Sequence, residues 1–130
     1  MTSSTRTLRI VISDDEVDIR DYFAALLPRL GHELVGAASN GRELVQLCAD
    51  EKPDLVITDV MMPELDGLAA ATLINQDHCI PVIILSSHEP PEIVADEPGL
   101  IQDCIVDYLV KPVDITDLEQ AINRARAAQD

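Results

Sequence analysis

LVITDVMMPELDG, residues 55–67, decides the fold of this chain, because an apolar, β-branched run ends there in a carboxylate. The run is short and continuous and begins after Pro53-Asp54, as expected of a strand that is buried on both faces. A loop with proline and glycine follows it. Asp59 is therefore predicted to lie at the carboxyl end of a central parallel strand, which is the edge where open α/β sheets bind ligands.

The rest of the chain alternates between strand-like and helix-like segments. Strands are predicted over residues 8–13, 33–38, 55–58, 81–86 and 105–110, and helical spacing of apolar residues occurs over 19–30, 44–51, 68–76 and 115–125. Gly31 is expected to stop the first helix, and Pro28 to kink it or end its regular part early. The proline-rich segment 88–103 leaves room for only one or two helical turns.

This alternation predicts one α/β domain over residues 1–130, with its core at about 8–127. Right-handed crossovers give a doubly wound, flavodoxin-like parallel sheet of five strands, with helices on both faces. The expected strand order is 2-1-3-4-5, with the topological switch between strands one and three.

The composition excludes several functions. The net charge of −15 argues against direct binding of nucleic acid or of an anionic membrane, although it suits a cation site. No apolar run approaches the roughly 20 residues that span a bilayer, and neither signal peptide nor membrane anchor is predicted. Cys48, Cys79 and Cys104 show no metal or disulfide pattern, so we expect core packing and a reducing cytoplasm.

Polar residues follow four of the predicted strands. They are Asp14 and Asp15 after the first strand, Asp59 after the third, Ser86 after the fourth and Lys111 after the fifth. The carboxyl ends of parallel strands share one edge of the sheet, so these side chains are expected to converge. Three carboxylates in one cleft repel one another unless a cation binds, and Mg²⁺ with its few carboxylates and several waters suits them.

A carboxylate in such a site is able to act as a nucleophile toward phosphorus, with a metal ion and a lysine balancing the phosphoryl charge. Each residue alone is weak evidence, since an Asp-Asp pair after a strand is more often a helix cap. The combination at these strand ends is far more specific.

The combination resembles the receiver domain of response regulators in two-component signalling. The likeness extends over nearly the whole chain and is carried by Asp14-Asp15, Asp59, Met62-Pro63, Asp66-Gly67, residues 81–86, Tyr108 and Lys111-Pro112. The resemblance implies a cytoplasmic phosphoacceptor switch without a turnover substrate of its own. Its partners would be a sensor histidine kinase or a histidine phosphotransfer protein, and a downstream effector that the sequence does not identify.

By this resemblance, Asp59 takes a phosphoryl group from a phosphohistidine. Mg²⁺ would be held by Asp15 directly and by Asp14 mainly through water, joined by Asp59 and the backbone carbonyl of Met61. Lys111 would pair with Asp59 and the phosphoryl group. The resemblance also implies a cis Lys111–Pro112 peptide bond, which proline makes accessible.

The resemblance further assigns a conformational switch to Ser86 and Tyr108. Phosphorylation adds about −1.5 to −2 charges and three acceptor oxygens. Ser86 would move toward these acceptors, and Tyr108 would then turn inward to fill the vacated space, as in a two-state element biased by a local change in charge.

Three features depart from the family pattern. Ser87 replaces a smaller residue and is expected to narrow access to Asp59, and Cys104-Ile105 replaces a common Gly-Ala pair. The proline-rich segment predicts a short or irregular fourth helix. That helix commonly contributes to dimerisation, so a homodimer through this face stays open.

Two other functions compete with the switch. An Asp-nucleophile phosphohydrolase needs a second Asp two residues after the first, where this chain has Met61. A phosphorylation-independent interaction module would not need the intact set of Asp59, Ser86 and Lys111. The sequence leaves open whether the receiver stands alone or belongs to a longer transcription or antitermination regulator.

Overall fold

The computed structural model describes residues 7–62, 64–76, 79–86 and 104–129, which form a parallel sheet between two layers of helices. The strands are β1 (Arg9–Ser13), β2 (Glu33–Ala38), β3 (Leu55–Asp59), β4 (Val82–Ser86) and β5 (Ile105–Val110). The helices are α1 (Val17–Arg29), α2 (Gly41–Glu51), α3 (Gly67–Ile74) and α4 (Ile115–Gln129). All pairings are parallel in the order β2-β1-β3-β4-β5, which confirms the predicted flavodoxin-like fold.

Alternate residues of the central strands point to opposite faces of the sheet and build two apolar clusters. Ile57 of β3 and Leu85 of β4 pack with α1 and α4 on one face, through residues such as Phe23 and Leu118. The neighbouring strand residues pack with α2 and α3 on the other face, which holds Val56, Ile84, Leu44, Cys48 and Ala70. Every residue of β3 and β4 is buried, as the continuous apolar runs before their polar last residues predict.

The first helix ends one residue after Pro28. Gly31 adopts a positive φ of 88°, and its N–H donates to the carbonyl of Pro28 while the N–H of His32 donates to that of Leu27. This pair of bonds is a Schellman motif, which satisfies the last carbonyls of the helix. The expected stop at Gly31 is confirmed, and Pro28 lies inside the last turn of the helix, which continues to Arg29.

The third helix ends at Ile74, two residues before the predicted boundary. The side chain of Asn75 explains this end, because its Oδ1 accepts from the N–H of Ile80 over 2.6 Å and its Nδ2 donates to the Ile80 carbonyl over 3.3 Å. Asn75 is buried and pairs with the backbone that leads into β4. The hydrogen bonds of the Asn75 side-chain amide to the backbone therefore replace those of a further helical turn.

The prediction for the cysteines was wrong for two of the three. Cys79 and Cys104 form a disulfide, and their Cα atoms lie 5.5 Å apart. The bond joins the residues that precede β4 and β5, two adjacent strands. The argument for a reducing compartment from unpaired cysteines therefore fails, while Cys48 stays a buried free thiol as predicted.

Some predictions fall on residues 63, 77–78 and 87–103, which lie outside the described part of the chain. These include the effect of Ser87 on access to Asp59 and the short fourth helix in the proline-rich segment. Among the described helices, none is long and apolar enough to cross a membrane.

Candidate functional site

The carboxyl edge of the sheet collects the predicted residues. Asp14 follows β1, Asp59 is the last residue of β3 and Ser86 is the last residue of β4. Lys111 follows β5 directly, and its backbone N–H donates to the carbonyl of Ser86 over 2.7 Å. The topology of the sheet therefore brings residues from the beginning, the middle and the end of the chain to one place.

Lys111 bridges two of the carboxylates. Its Nζ lies 2.7 Å from Oδ2 of Asp14 and 3.4 Å from Oδ2 of Asp59. The lysine side chain is only 15% exposed, and both carboxylates are nearly inaccessible. The Lys111–Pro112 peptide bond is cis, as the resemblance implied.

Asp14 is bound on several sides. Its second oxygen, Oδ1, accepts from the N–H of Glu16 over 2.9 Å, and its own N–H donates to the carbonyl of Ala38. Nη1 of Arg20 donates to the Asp14 carbonyl over 2.8 Å. These bonds hold the turn between β1 and α1 and thereby the carboxylates that it carries. Sequence analysis missed Arg20, which carries no signal apart from its place in the first turn of α1.

The charge state of Asp59 reflects its burial. Removal from water raises the pKa of its carboxyl above the ordinary value, and the nearby charge of Asp14 raises it further. The Lys111 ammonium and the backbone N–H of Met61 oppose this shift. Asp59 is therefore a buried carboxylate at the end of an apolar strand, adjacent to a fixed cation.

Burial and the neighbouring charges also act in opposite directions on the pKa of Lys111. Burial alone would lower the pKa of its ammonium, but the hydrogen bond to Asp14 and the charges of Asp59 and Asp14 outweigh burial and raise the pKa. The ammonium is therefore a permanent positive charge at the site at any physiological pH.

Three carboxylates form a group that fits a divalent cation. Asp14, Asp15 and Asp59 each offer an oxygen, and these oxygens lie within 4.8 Å of one another. Ligands on opposite sides of an octahedral Mg²⁺ are about 4.2 Å apart, since each bond is about 2.1 Å long, so these oxygens need only a small closing movement to share one ion. Asp15 is exposed and opens the group to solvent.

The backbone around Asp59 is tightly packed. A Cβ on Gly67 would lie 2.0 Å from the carbonyl oxygen of Asp59, so only glycine fits there. The Thr58 hydroxyl donates to the same carbonyl over 3.1 Å. Asp66 caps α3 by accepting from the N–H of Ala69 over 2.7 Å, which begins the helix directly after this contact. The Asp-Gly pair thus packs the loop against the candidate site.

A sulfur contact supports the same loop and was not predicted. The hydroxyl of Ser13 lies 2.9 Å from the sulfur of Met62, which is buried between β1 and β3. Met61, by contrast, is 74% exposed and stands two residues after Asp59. Its thioether is unable to act as the acid or base that an Asp-nucleophile phosphohydrolase requires at that position.

Ser86 and Tyr108 lie on the same face of the sheet. Tyr108 pairs with Ile84 and Val110 pairs with Ser86, and residues paired across parallel strands point to the same side. Ser86 is buried at the end of β4. The hydroxyl of Tyr108 is buried without a hydrogen-bond partner among the described residues, and burial raises its pKa to about 12.

Comparison with known proteins identifies the family. The family model for the response regulator receiver domain matches residues 10–123. The signal receiver domain of NarL from Mycobacterium tuberculosis superimposes with a TM-score of 0.81 at 26% identity, covering 93% of this chain and 98% of that structure.

The names of two longer relatives describe different activities. The transcriptional regulatory protein PdtaR of Mycobacterium tuberculosis is 40% identical over 119 residues, which are 90% of this chain and 56% of PdtaR. A protein-glutamate methylesterase/protein-glutamine glutaminase of Archaeoglobus fulgidus is 34% identical over 121 residues, which are 90% of this chain and 34% of that protein. The chain thus spans about half or less of the length of these relatives.

Proposed function

Because the chain belongs to the response regulator receiver domain family and so to phosphorelay signalling, we propose that Asp59 is its phosphoacceptor. The donor in this proposal is a phosphohistidine of a sensor histidine kinase or of a histidine phosphotransfer protein, in the cytoplasm. The chain acts as a switch for a downstream effector and has no turnover substrate of its own.

One observation carries this proposal: Asp59 ends a fully buried strand beside Lys111 and within a group of three carboxylates. A nucleophilic carboxylate, a fixed cation and a set of metal ligands are the components that phosphoryl transfer needs, because its catalysis is mainly positioning and charge stabilisation.

In the proposed transfer, an Asp59 oxygen attacks the phosphorus atom in line with the bond to the donor. The bond between phosphorus and the imidazole nitrogen breaks, and the nitrogen leaves with the electron pair and is protonated from solvent. Lys111 then pairs with the transferred phosphoryl oxygens. Asp14, Asp15, Asp59 and the backbone carbonyl of Met61 would hold Mg²⁺, which supplies positive charge to those oxygens when it is bound.

The switch follows from the new acceptors. In the proposal, the Ser86 hydroxyl donates to a phosphoryl oxygen, and the end of β4 moves with it. Tyr108 pairs with Ile84, two residues before Ser86, and lies on the same face of the sheet as Ser86. It therefore responds to this movement through direct packing. The exposed side chain of Val110, which pairs with Ser86, is part of the surface that changes.

The experiment is intact-mass spectrometry after incubation with acetyl phosphate and Mg²⁺. We expect one added phosphoryl group on the chain, none after Asp59→Asn and none in the presence of a chelator. Asp21→Asn serves as the matched control, because Asp21 is an exposed carboxylate on α1. This variant should still be modified.

Modification of the Asp59→Asn protein would assign the phosphoryl group to another residue. Failure of both acetyl phosphate and a phosphohistidine donor to modify the chain would overturn the proposal in favour of a phosphorylation-independent module.

A further inference from the structure

We propose that Cys79 and Cys104 form a reversible thiol–disulfide exchange site that sets the stiffness of the β4–β5 half of the sheet. The proposed reactants are a dithiol reductant and a small-molecule disulfide oxidant. The site lies at the amino edge of the sheet, opposite to Asp59. Its effect on phosphorylation rests on the proposed function, whereas its redox chemistry does not.

The backbone places the two cysteines in position to bond. Cys79 precedes β4, Cys104 precedes β5, and the first pair of these strands is Val82 with Ile105. The Cα atoms are 5.5 Å apart, within the range that disulfides occupy. The two residues are separated by 25 positions, so sheet topology, and not local sequence, brings them together.

The two cysteines differ in exposure. Cys79 is exposed, whereas Cys104 is only 2% exposed. An incoming thiolate therefore attacks the sulfur of Cys79, and the sulfur of Cys104 is the leaving group. Exposed disulfides are typically the labile or regulatory ones, so the access of solvent to Cys79 favours a reversible bond.

The exchange balances in two steps. The first thiolate of the dithiol bonds to the sulfur of Cys79, and the S–S bond breaks to release the Cys104 thiolate, which takes a proton. The second thiolate of the dithiol then attacks the dithiol sulfur that is bonded to Cys79. The Cys79 thiolate is released and also takes a proton. The protein gains two electrons and two protons, and the dithiol becomes a disulfide. Closure by an oxidised disulfide reverses this sequence.

Cys48 provides an internal reference. Burial raises the pKa of its thiol to about 12, so it stays protonated at neutral pH. Because the thiolate is the reacting form, Cys48 neither competes for the bond nor exchanges with it.

The exchange site acts on strands that lead directly to the functional residues. The register of β4 and β5 shifts between Val82 and Ile83, immediately beside the disulfide. At the other end of the strands, the N–H of Lys111 is bonded to the carbonyl of Ser86. The closed disulfide holds together the starts of β4 and β5, where their pairing is irregular. When the disulfide opens, these strand starts are free to shift relative to Ser86 and Lys111.

The first test counts thiols in the full chain. The protein is equilibrated in glutathione buffers of different ratios, quenched in acid, denatured and alkylated, and its intact mass is measured. We expect one alkylated cysteine in oxidising buffer and three after treatment with a dithiol. In the Cys48→Ala variant, the number of alkylated cysteines should rise from none in oxidising buffer to two after treatment with a dithiol. Three alkylated cysteines in every buffer, or one even after dithiol treatment, would overturn the proposal.

The second test measures the coupling. Hydrogen–deuterium exchange of the β4 and β5 amides is expected to accelerate by about tenfold or more when the bond opens, because local opening becomes easier. Cys79→Ser should exchange like the reduced protein in either buffer, and as an exposed site it should leave the fold intact. Equal exchange in both states would refute the coupling.

The same two states are then phosphorylated by acetyl phosphate. We expect the rate of Asp59 modification to differ between them by about threefold or more, since even a fraction of a kcal/mol in positioning changes a rate by that factor. Equal rates in the two states would exclude an effect on phosphorylation. A protein that changes its thiol count but is never phosphorylated would refute the proposed function and leave the exchange site standing.

Discussion

The Nζ atom of Lys111 lies 2.7 Å from Oδ2 of Asp14, a closer contact than the one it makes with Asp59. The charge balance of the site therefore depends first on a pair that joins the beginning of the chain to its end, 97 residues apart. Removal of Lys111 takes the shared cation from two buried carboxylates, whereas removal of Asp14 leaves the ammonium with Asp59 as its acidic neighbour.

Lys111→Met is expected to lower the free energy of unfolding by about 3 kcal/mol, because it strands two buried carboxylates. Urea unfolding in the absence of divalent ions is the measurement. The double variant with Asp14→Asn should lose less than the sum of the two single variants, since it removes both members of the contact. Additive losses would show that the two side chains do not stabilise each other.

Gly67→Ala is expected to reduce both stability and phosphorylation. Its Cβ would lie 2.0 Å from the carbonyl of Asp59, so the backbone that carries the carboxylate must shift. We expect a loss of about 2 kcal/mol or more in chemical unfolding, together with slower modification by acetyl phosphate.

Gly31→Ala separates these two effects. Gly31 has a φ of 88° but open space around its Cβ position. The variant should lose about 1–2 kcal/mol from backbone strain and be phosphorylated at the normal rate. Slower phosphorylation of Gly31→Ala would show that general instability, and not the contact with Asp59, causes the defect in Gly67→Ala.

His32 should make the stability depend on pH. Its Nδ1 accepts from the N–H of Leu8 over 3.1 Å, and burial and then the charge of Arg126 lower the pKa of the imidazole. The folded state therefore favours the neutral form. The contribution is complete above the ordinary pKa of about 6.5 and is lost as the pH falls through the folded pKa, by at most about 1.4 kcal/mol per pH unit.

His32→Asn tests this dependence, because Asn keeps an acceptor near the position of Nδ1 and does not titrate. The difference in unfolding free energy between wild type and variant should be constant above neutral pH and shrink in mildly acidic buffer. All other titrating groups cancel in this difference. A difference that does not change with pH would contradict the assignment.

Tyr108→Phe is expected to preserve the unfolding free energy within about 1 kcal/mol or to raise it. The hydroxyl is buried without a partner among the described residues, so its removal takes away a desolvated polar group. Thermal unfolding measures the effect, with Tyr108→Ala as the comparison that also loses the ring. A large loss in the Phe variant would reveal a hydrogen bond to the hydroxyl.

The fold and the location of the candidate site were predictable because they depend on patterns that the sequence displays directly. The continuous apolar runs predict β3 and β4, and the polar residue at the end of each run predicts what lies at the edge of the sheet. Gly31 and Pro28 likewise predict the end of α1 through local backbone chemistry.

The features that escaped prediction depend on three-dimensional distances. Asn75 ends α3 because its amide reaches Ile80, which no helical propensity encodes. The bond between Cys79 and Cys104 depends on the register of β4 against β5, and the shorter contact of Lys111 with Asp14 depends on the positions of the two loops that carry them. Spacing along the chain carries no signal for any of these contacts.

The complete burial of β3 and β4 has a consequence for how such a protein changes over evolutionary time. The candidate site takes its side chains from the last residue of each of these strands, while the apolar residues before it belong to the two interior clusters. Mutations at exposed positions of these loops, such as Met61, therefore leave the packing of the interior untouched. Variants with the same interior are therefore able to differ in the timing or the specificity of their signalling. Selection acts on these differences directly, because the variants have not first lost core stability.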